Sequence, residues 1–289
     1  MISRRNNPLP RPKRRCDKRV ALGADIPPAV MTSQPTASSQ LADADTGPIA
    51  ISVVVPMLNE ADNAAPLVAE IARALDGRRG VEIVCVDDGS SDGTADRLKA
   101  AMPTTPFLRL VRHARRAGQS AAIASGVRFA RGKAVVTLDG DGQNDPADIP
   151  RLLDAWLAEP ERERLMIVGW RARRRDSALK RLSSRVANAV RARILGDDTP
   201  DTGCGLKIFS REAFLGLPAF NHMHRFLPAL MLRAGGRVRS VPVNHRPRQR
   251  GRSNYGTWDR LWAGLVDLVG VMWLGRRRLA PEAREESRQ

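Results

Sequence analysis

The 289-residue chain is short of cysteine, aromatic side chains, acidic residues and long apolar runs, and each shortage removes a class of protein. Its three cysteines, Cys16, Cys85 and Cys204, are far apart and form no C-x-x-C pair. That leaves neither a disulfide framework nor a cysteine-built zinc site, and it fits a reducing compartment. Aromatics make up 4%, with one Tyr and six Phe, which argues against a platform on which nucleic-acid bases stack. The four histidines, His113, His222, His224 and His245, include one H-x-H pair without a third nitrogen or thiolate at a useful spacing, so they read as loop or interface residues. No apolar run reaches the ~18 to 20 residues that cross a bilayer. The longest candidate, Leu261–Leu274, contains Asp267 and suits a core or a membrane surface. The N-terminus is basic but lacks the apolar stretch of a secretory signal.

What is present is an ordinary globular composition, 42% apolar and 27% charged, with 48 Lys and Arg against 31 Asp and Glu for a formal +17. Such an excess favours anionic partners: nucleic acid, an anionic membrane surface or phosphate-bearing substrates. Residues 1–48, a basic stretch from Arg4 to Arg19 followed by Pro, Ser, Thr and Ala, carry almost no periodic apolar pattern and read as a disordered tail. From Ile51 the texture alternates. Ile51–Pro56, Val81–Val86, Phe107–Val111 and Val135–Leu138 are buried-strand patterns, separated by helical patterns from about Asp62 to Gly77, Asp92–Met102 and Gln119–Ala130. Asp62 reads as the first helix's N-cap, and Gly77 as its stop. Strand and helix taking turns through short loops predict an α/β fold with a mostly parallel central sheet flanked by helices. The second half is less regular, with a helix at Ser177–Leu195, a strand at Val238–Val243 and a terminal helix at Leu261–Leu274.

Polar residues cluster where these strands end, the edge at which open α/β sheets bind ligands. Asp139-Gly140-Asp141-Gly142-Gln143 follows the fourth strand, and two carboxylates at i, i+2 suit Mg²⁺ or Mn²⁺, hard cations that take one or two carboxylates plus substrate phosphate oxygens. Asp87-Asp88-Gly89-Ser90-Ser91-Asp92-Gly93-Thr94 ends the second strand. Asp92 or Ser91 would cap the next helix, which leaves Asp87 and Asp88 unexplained by capping. Pro56, Asn59 and Glu60 end the first strand, where Glu60 could also cap. Three adjacent strand ends bearing acids and amides predict a nucleotide pocket.

The V-V-P-x-x-N-E start, the V-D-D-G-S-x-D-G-T turn and the L-D-G-D-G-Q segment resemble glycosyltransferase family 2, with its GT-A fold. Gly169-Trp170-Arg171, Asp201-Thr202-Gly203-Cys204-Gly205-Leu206-Lys207 and Arg248 through Gly256 are similar to the polyprenyl-phosphate glycosyltransferases, the dolichol-phosphate mannosyltransferase-like branch. The resemblance spans about residues 50–275. It implies a GT-A domain at 49–256, followed at 257–289 by an amphipathic interfacial helix and charged tail. It implies further that Pro56, Asn59, Glu60, Asp87 and Asp88 line the nucleoside end of a UDP- or GDP-sugar, and that Asp139, Asp141 and Gln143 hold Mg²⁺ or Mn²⁺ against its diphosphate. Arg171, Lys207, Arg248 and Ser253 would face the phosphates of donor and acceptor. Related enzymes often carry Lys where this chain has Asn254, with Arg250 and Arg252 nearby.

An anionic lipid phosphate needs no strong general base, so the expected reaction is metal-dependent, inverting single displacement onto a polyprenyl phosphate. Leu261, Trp262, Leu265, Val266, Val269, Met272 and Trp273 form an apolar stripe beside Arg276, Arg277 and Arg278, which predicts a peripheral protein on the cytoplasmic face of the cell membrane. A separate integral-membrane partner would then complete the system, and no nucleic acid is expected. Two alternatives stand. One is a family 2 enzyme that glycosylates a saccharide hydroxyl, for which Asp201 is the candidate base; the other is a basic nucleic-acid-binding protein without catalysis.

Overall fold

The computed structural model describes residues 49–171, 191–247 and 257–277, the side chains of 257–263 and 265 excepted. The expected tail at 1–48 and most of the expected helix Ser177–Leu195 lie outside them. Its last residues, 191–195, are helical.

Strand β1 (Ile51–Met57) is buried along its whole length and β2 (Val81–Asp87) nearly so, as runs of Val and Ile covered on both faces of a parallel sheet should be. Between them, α1 (Ala61–Ala74) buries Ala64, Leu67, Val68 and Ile71, an i, i+3, i+4, i+7 stripe. It starts one residue before the expected cap. Glu60 holds the N-cap position, and Asp62 sits in the first turn, where its charge complements the helix dipole. Helix α2 (Thr94–Ala101) starts after Gly93 at φ 86° rather than at Asp92. Strand β3 (Leu108–Arg112), α3 (Gln119–Phe129), β4 (Ala134–Thr137) and α4 (Ile149–Leu157) complete the regular half.

The second half adds three strands. β7 (Arg237–Pro242) lies within one residue of expectation, whereas β5 (Leu165–Trp170) and β6 (Lys207–Ser210) were not legible as strands. β6 has only four residues and opens on a buried lysine, so it offers no period to read. The seven strands run in the order β3-β2-β1-β4-β6-β5-β7. All pairs are parallel except those of β6, which runs antiparallel to both β4 and β5.

Alternate residues of each strand feed opposite faces. Val53, Val55, Ile83, Val136 and Ile167 pack with the stripe of α1 and with Leu152 and Leu153 of α4. Val54, Val84, Val86, Val135 and Val168 pack with α3, with Phe209 and Phe214 stacked 5.1 Å apart, and with the helix Leu227–Arg233. Full burial of each such side chain is worth about 1.5 to 3 kcal/mol.

At the N-terminal end of the strands, away from the acid-bearing turns, Glu82 ties three segments together. Its carboxylate accepts from Ser52 Oγ at 2.6 Å, from the Arg131 backbone N–H at 2.6 Å and from Arg109 Nη1 at 2.7 Å. Burial alone would raise the pKa, but these donors outweigh it and hold the carboxyl below its ordinary 4.5. A depressed folded-state pKa contributes stability that is complete above 4.5 and lost as pH falls through the lower, folded value. Glu82→Ala leaves the Ser52, Arg131 and Arg109 donors unpaired and should cost on the order of 3 kcal/mol in urea unfolding at pH 7. The loss relative to wild type should shrink below pH 4.

Candidate active site

The C-terminal ends of β1 and β2 are joined turn to turn. Asn59, a non-glycine residue at φ 56°, donates its N–H to Ser90 Oγ at 2.9 Å, and its Oδ1 accepts from Ser91 N–H at 2.9 Å. Glu60 N–H donates to Thr94 Oγ1, and Ala61 N–H to Asp92 Oδ2. Asp92 also accepts from the N–H and hydroxyl of Thr94, so its carboxylate serves the starts of both α1 and α2. Gly89, at φ +75°, passes so close to the Arg115–Arg116 peptide that a Cβ would lie 2.7 Å from it.

The paired acids after β2 are buried and partnered. Asp87 accepts from Ser90 N–H at 2.9 Å and from Arg112 Nε at 3.2 Å. Asp88 accepts from Ala117 N–H and Gly118 N–H at 2.8 Å each and lies 2.7 Å from His113 Nδ1. The Asp88 carboxylate thus fixes the course of the 113–118 loop, which delivers Gln119 to the start of α3.

Gln119 Nε2 donates to Asp139 Oδ1 at 2.8 Å. Asp139 leaves the end of β4, its N–H bonded to Asn144 Oδ1 at 3.2 Å, and its neighbour Asp141 accepts from Gln143 N–H at 3.1 Å. Burial first, and the Asp141 charge second, push the Asp139 carboxyl up to about 6, against the opposing pull of Lys207, Arg171 and the Gln119 hydrogen bond. The basic residues arrive through β6. Thr137 faces Lys207 across the antiparallel pair, and Thr137 Oγ1 donates to Gly205 O at 2.7 Å. Lys207 is buried, its Nζ donates to Cys204 O, and burial lowers its pKa. Arg171 makes a two-pronged pair with Asp201, Nε to Oδ2 at 2.6 Å and Nη2 to Oδ1 at 2.7 Å. Asp139 lies against Gly205, where a Cβ would stand 2.2 Å from its carboxylate oxygen.

A cavity of about 250 Å³ opens here, walled by Pro56, Gln119, Asp139, Thr202, Lys207, His224 and Arg225 among others. Pro56, Asp139 and Lys207 are thus brought together around it, whereas Asn59, Glu60, Asp87, Asp88, Asp141, Gln143 and Arg171 are not among its lining residues. Arg248 and Ser253, with Arg250, Arg252 and Asn254, lie outside the described residues. Sequence reading missed Gln119, Arg225 and His224. His224 does sit in a turn, but it also walls the cavity, 2.7 Å from Ser120 Oγ through Nδ1, and burial drives its pKa down to about 3.

Among the described residues no three His, Cys, Asp or Glu side chains stand close enough to form a complete metal cage. Asp141 stands near enough to Asp139 for its charge to raise the Asp139 pKa. A carboxyl raised by burial and by a second carboxylate is the state that a divalent cation relieves, with a diphosphate supplying the remaining oxygens. The donor set therefore fits Mg²⁺ or Mn²⁺.

The family model of Glycosyl transferase family 2 matches residues 52–216. A dodecaprenyl-phosphate galacturonate synthase of Rhizobium johnstonii is 36% identical over 237 residues, covering 80% of this chain and 69% of that protein. An undecaprenyl-phosphate 4-deoxy-4-formamido-L-arabinose transferase of Pseudomonas fluorescens is 35% identical over 225 residues, covering 77% of this chain and 64% of that protein. The chain thus spans about two thirds of these relatives' length. Among solved structures, a mannosyltransferase from Pyrobaculum calidifontis in complex with GDP-Man and Mn²⁺ aligns with TM-score 0.60 and 27% identity, over 82% of this chain and 67% of that one. Glucosyl-3-phosphoglycerate synthase from Mycobacterium tuberculosis, at TM-score 0.56 and 22% identity over 78% and 79%, shares the fold.

Gly205→Ala should leave the circular dichroism spectrum unchanged yet displace the Asp139 carboxylate. Turnover should fall about 100-fold, the usual cost of moving a site group by an ångström; wild-type turnover in the variant would show that Asp139 tolerates displacement.

Proposed function

The chain belongs to glycosyl transferase family 2, and we propose that it transfers a sugar from a UDP- or GDP-sugar to a polyprenyl phosphate, of undecaprenyl or dolichol type, at the cytoplasmic face of the cell membrane. The observation that carries this reading is the meeting of opposite charges at one small cavity: Asp139 and Lys207 both line it, and the charges of Asp141 and Arg171 reach Asp139 there. The similarity to proteins named as dodecaprenyl- and undecaprenyl-phosphate sugar transferases supports the acceptor.

The chemistry follows from those charges. Asp139, Asp141 and Gln143 would hold Mg²⁺ or Mn²⁺, which when bound neutralises charge on the leaving nucleoside diphosphate. Pro56, Asn59, Glu60, Asp87 and Asp88 would contribute the nucleoside side, the last two by fixing the shape of the loops. Lys207, Arg171, Arg248 and Ser253 would face the phosphates of donor and acceptor and offset the repulsion between two anions. A phosphate monoester is already anionic at neutral pH, so it attacks the anomeric carbon without a general base, in one displacement with inversion. A saccharide hydroxyl would need a carboxylate base, and its candidate, Asp201, is held by both prongs of Arg171. That pairing favours the phosphate acceptor.

The lipid acceptor has a surface to meet. Among the described residues no helix is long and apolar enough to cross a membrane. On the C-terminal helix Thr257–Gly275, Val271 is buried and Leu268 and Leu274 pack on the core, while Val266, Val269 and Trp273 are more than half exposed. Exposed Arg276 and Arg277 follow, the latter 5.7 Å from the Trp273 ring centroid. An apolar face ending in Trp and Arg suits an anionic membrane surface. Of the remaining stripe members, Met272 is partly buried, and the side chains of Leu261, Trp262 and Leu265 lie outside the described set, as does Arg278. A separate integral-membrane protein would complete the system.

Purified protein incubated with Mn²⁺ or Mg²⁺, undecaprenyl phosphate in detergent and a panel of UDP- and GDP-sugars should yield an inverted glycosyl phospholipid by mass spectrometry. The product should be lost in Asp141→Ala. No lipid product with any donor, or a retained anomer, sinks the reading. In flotation with anionic liposomes, wild type should rise with the vesicles and the Val269→Glu, Trp273→Glu double variant should stay below; a wild type that ignores the vesicles removes the membrane surface as a partner.

A further inference from the structure

The cavity beside Asp139 holds one cation more than the proposed chemistry uses. Lys207 is tied to Cys204 O and Arg171 is neutralised by Asp201. Arg225 lines the same cavity, partly buried, and its guanidinium has no hydrogen-bond or ion-pair partner among the described residues. A guanidinium presents five donors in a planar fork that matches a carboxylate or phosphate, and leaving it partly desolvated without an anion is costly.

The turn that carries Arg225 is fixed from both sides. His222 adopts φ 66°, a conformation unusual for a residue with a Cβ, and its N–H donates to Asn221 Oδ1 at 3.0 Å. Its ring Nδ1 lies 2.8 Å from Asp267 Oδ2 on the C-terminal helix. On the other side His224 N–H donates to Ser120 Oγ at 3.2 Å, in the first turn of α3. Met223, Phe226 and Leu227 are buried around it, and Arg225 N–H closes the turn on His222 O at 3.1 Å. A position held this way loses little freedom when it binds. His224, driven neutral by burial and by the nearby Arg225 and Lys207 charges, adds no competing cation.

We propose that Arg225 binds an oxyanion of a reacting substrate, either a carboxylate on the transferred sugar or the phosphate of the acceptor. The inference rests on the glycosyl-transfer reading, and the two sources are separable. Arg225→Gln and Arg225→Lys are made in the full chain and checked by thermal melting; the charge-conserving Lys variant keeps the comparison open should Gln fail to fold. Calorimetric titration in Mn²⁺ compares UDP-glucose with UDP-glucuronic acid and GDP-mannose with GDP-mannuronic acid, pairs that differ only in a carboxylate, and the lipid-product assay gives KM for undecaprenyl phosphate.

A loss of about tenfold or more for the uronic donor alone, partly restored by Lys, assigns Arg225 to the sugar. A similar rise in KM for undecaprenyl phosphate with every donor, at unchanged donor affinity and kcat, assigns it to the acceptor. Wild-type donor affinities together with wild-type KM in Arg225→Gln overturn the proposal. If wild type binds donors but forms no lipid product, the acceptor reading falls, and the paired titrations alone decide Arg225.

Discussion

The antiparallel pairing of β6 with β4 is the constraint on which the site depends. Because β6 runs against its neighbour, its first residue, Lys207, lies directly opposite Thr137, the last residue of β4. The loop that enters β6, residues 201–206, therefore arrives at the same edge as Asp139 and Asp141. Had β6 run parallel, its start would sit at the far end of a four-residue strand, roughly 10 Å away at ~3.3 Å per residue. One reversal of direction thus sets acid against base, and Gly205 supplies the gap that lets the two approach.

This arrangement places opposing demands on the same atoms. Asp139 is held where burial and Asp141 both disfavour its charge, and Lys207 is buried where its own charge is disfavoured. Neither is what packing alone would select. Surrounding structure holds them in place: the Glu82 cluster at the opposite end of the sheet, the two cores, and Arg191, whose guanidinium reaches Asp197, Thr199 O and Thr202 beneath the 197–205 loop. A fold that spends stability at one spot and recovers it elsewhere is the pattern expected of a working site.

Much of this was legible in the amino-acid sequence, for identifiable reasons. The parallel half announces itself because strands buried on both faces must be continuous Val and Ile, and because the helices between them carry clean stripes. The acids stand out because capping accounts for Asp92 but not for Asp87 or Asp88, and because Asp139 and Asp141 stand at i, i+2 directly after a buried strand. β5 and β6 escaped because an isolated run such as Leu165–Trp170 carries no period, and because β6 is short and starts with a charge. Gln119, His224 and Arg225 escaped for a different reason. Nothing in their local pattern differs from an ordinary helix start or turn; only the fold, by closing the 221–225 turn against α3, reveals where they stand. Asp88 shows the converse. Its acidity was legible, but its carboxylate proves to be occupied in shaping a loop.

The lacing of the first two turns has a consequence for how the chain tolerates change. Backbone N–H groups of Asn59, Glu60 and Ala61 are answered by side chains of Ser90, Thr94 and Asp92, and Ser91 N–H is answered in return by Asn59. Residues some thirty positions apart in the chain thus share hydrogen bonds in both directions, so the free energies of substitutions at Asn59 and at Ser90 are not independent quantities. The lip of the crevice mutates as one object. A change in either turn alters what the other tolerates, and a pair of changes that each weaken the protein can together cost less than their sum.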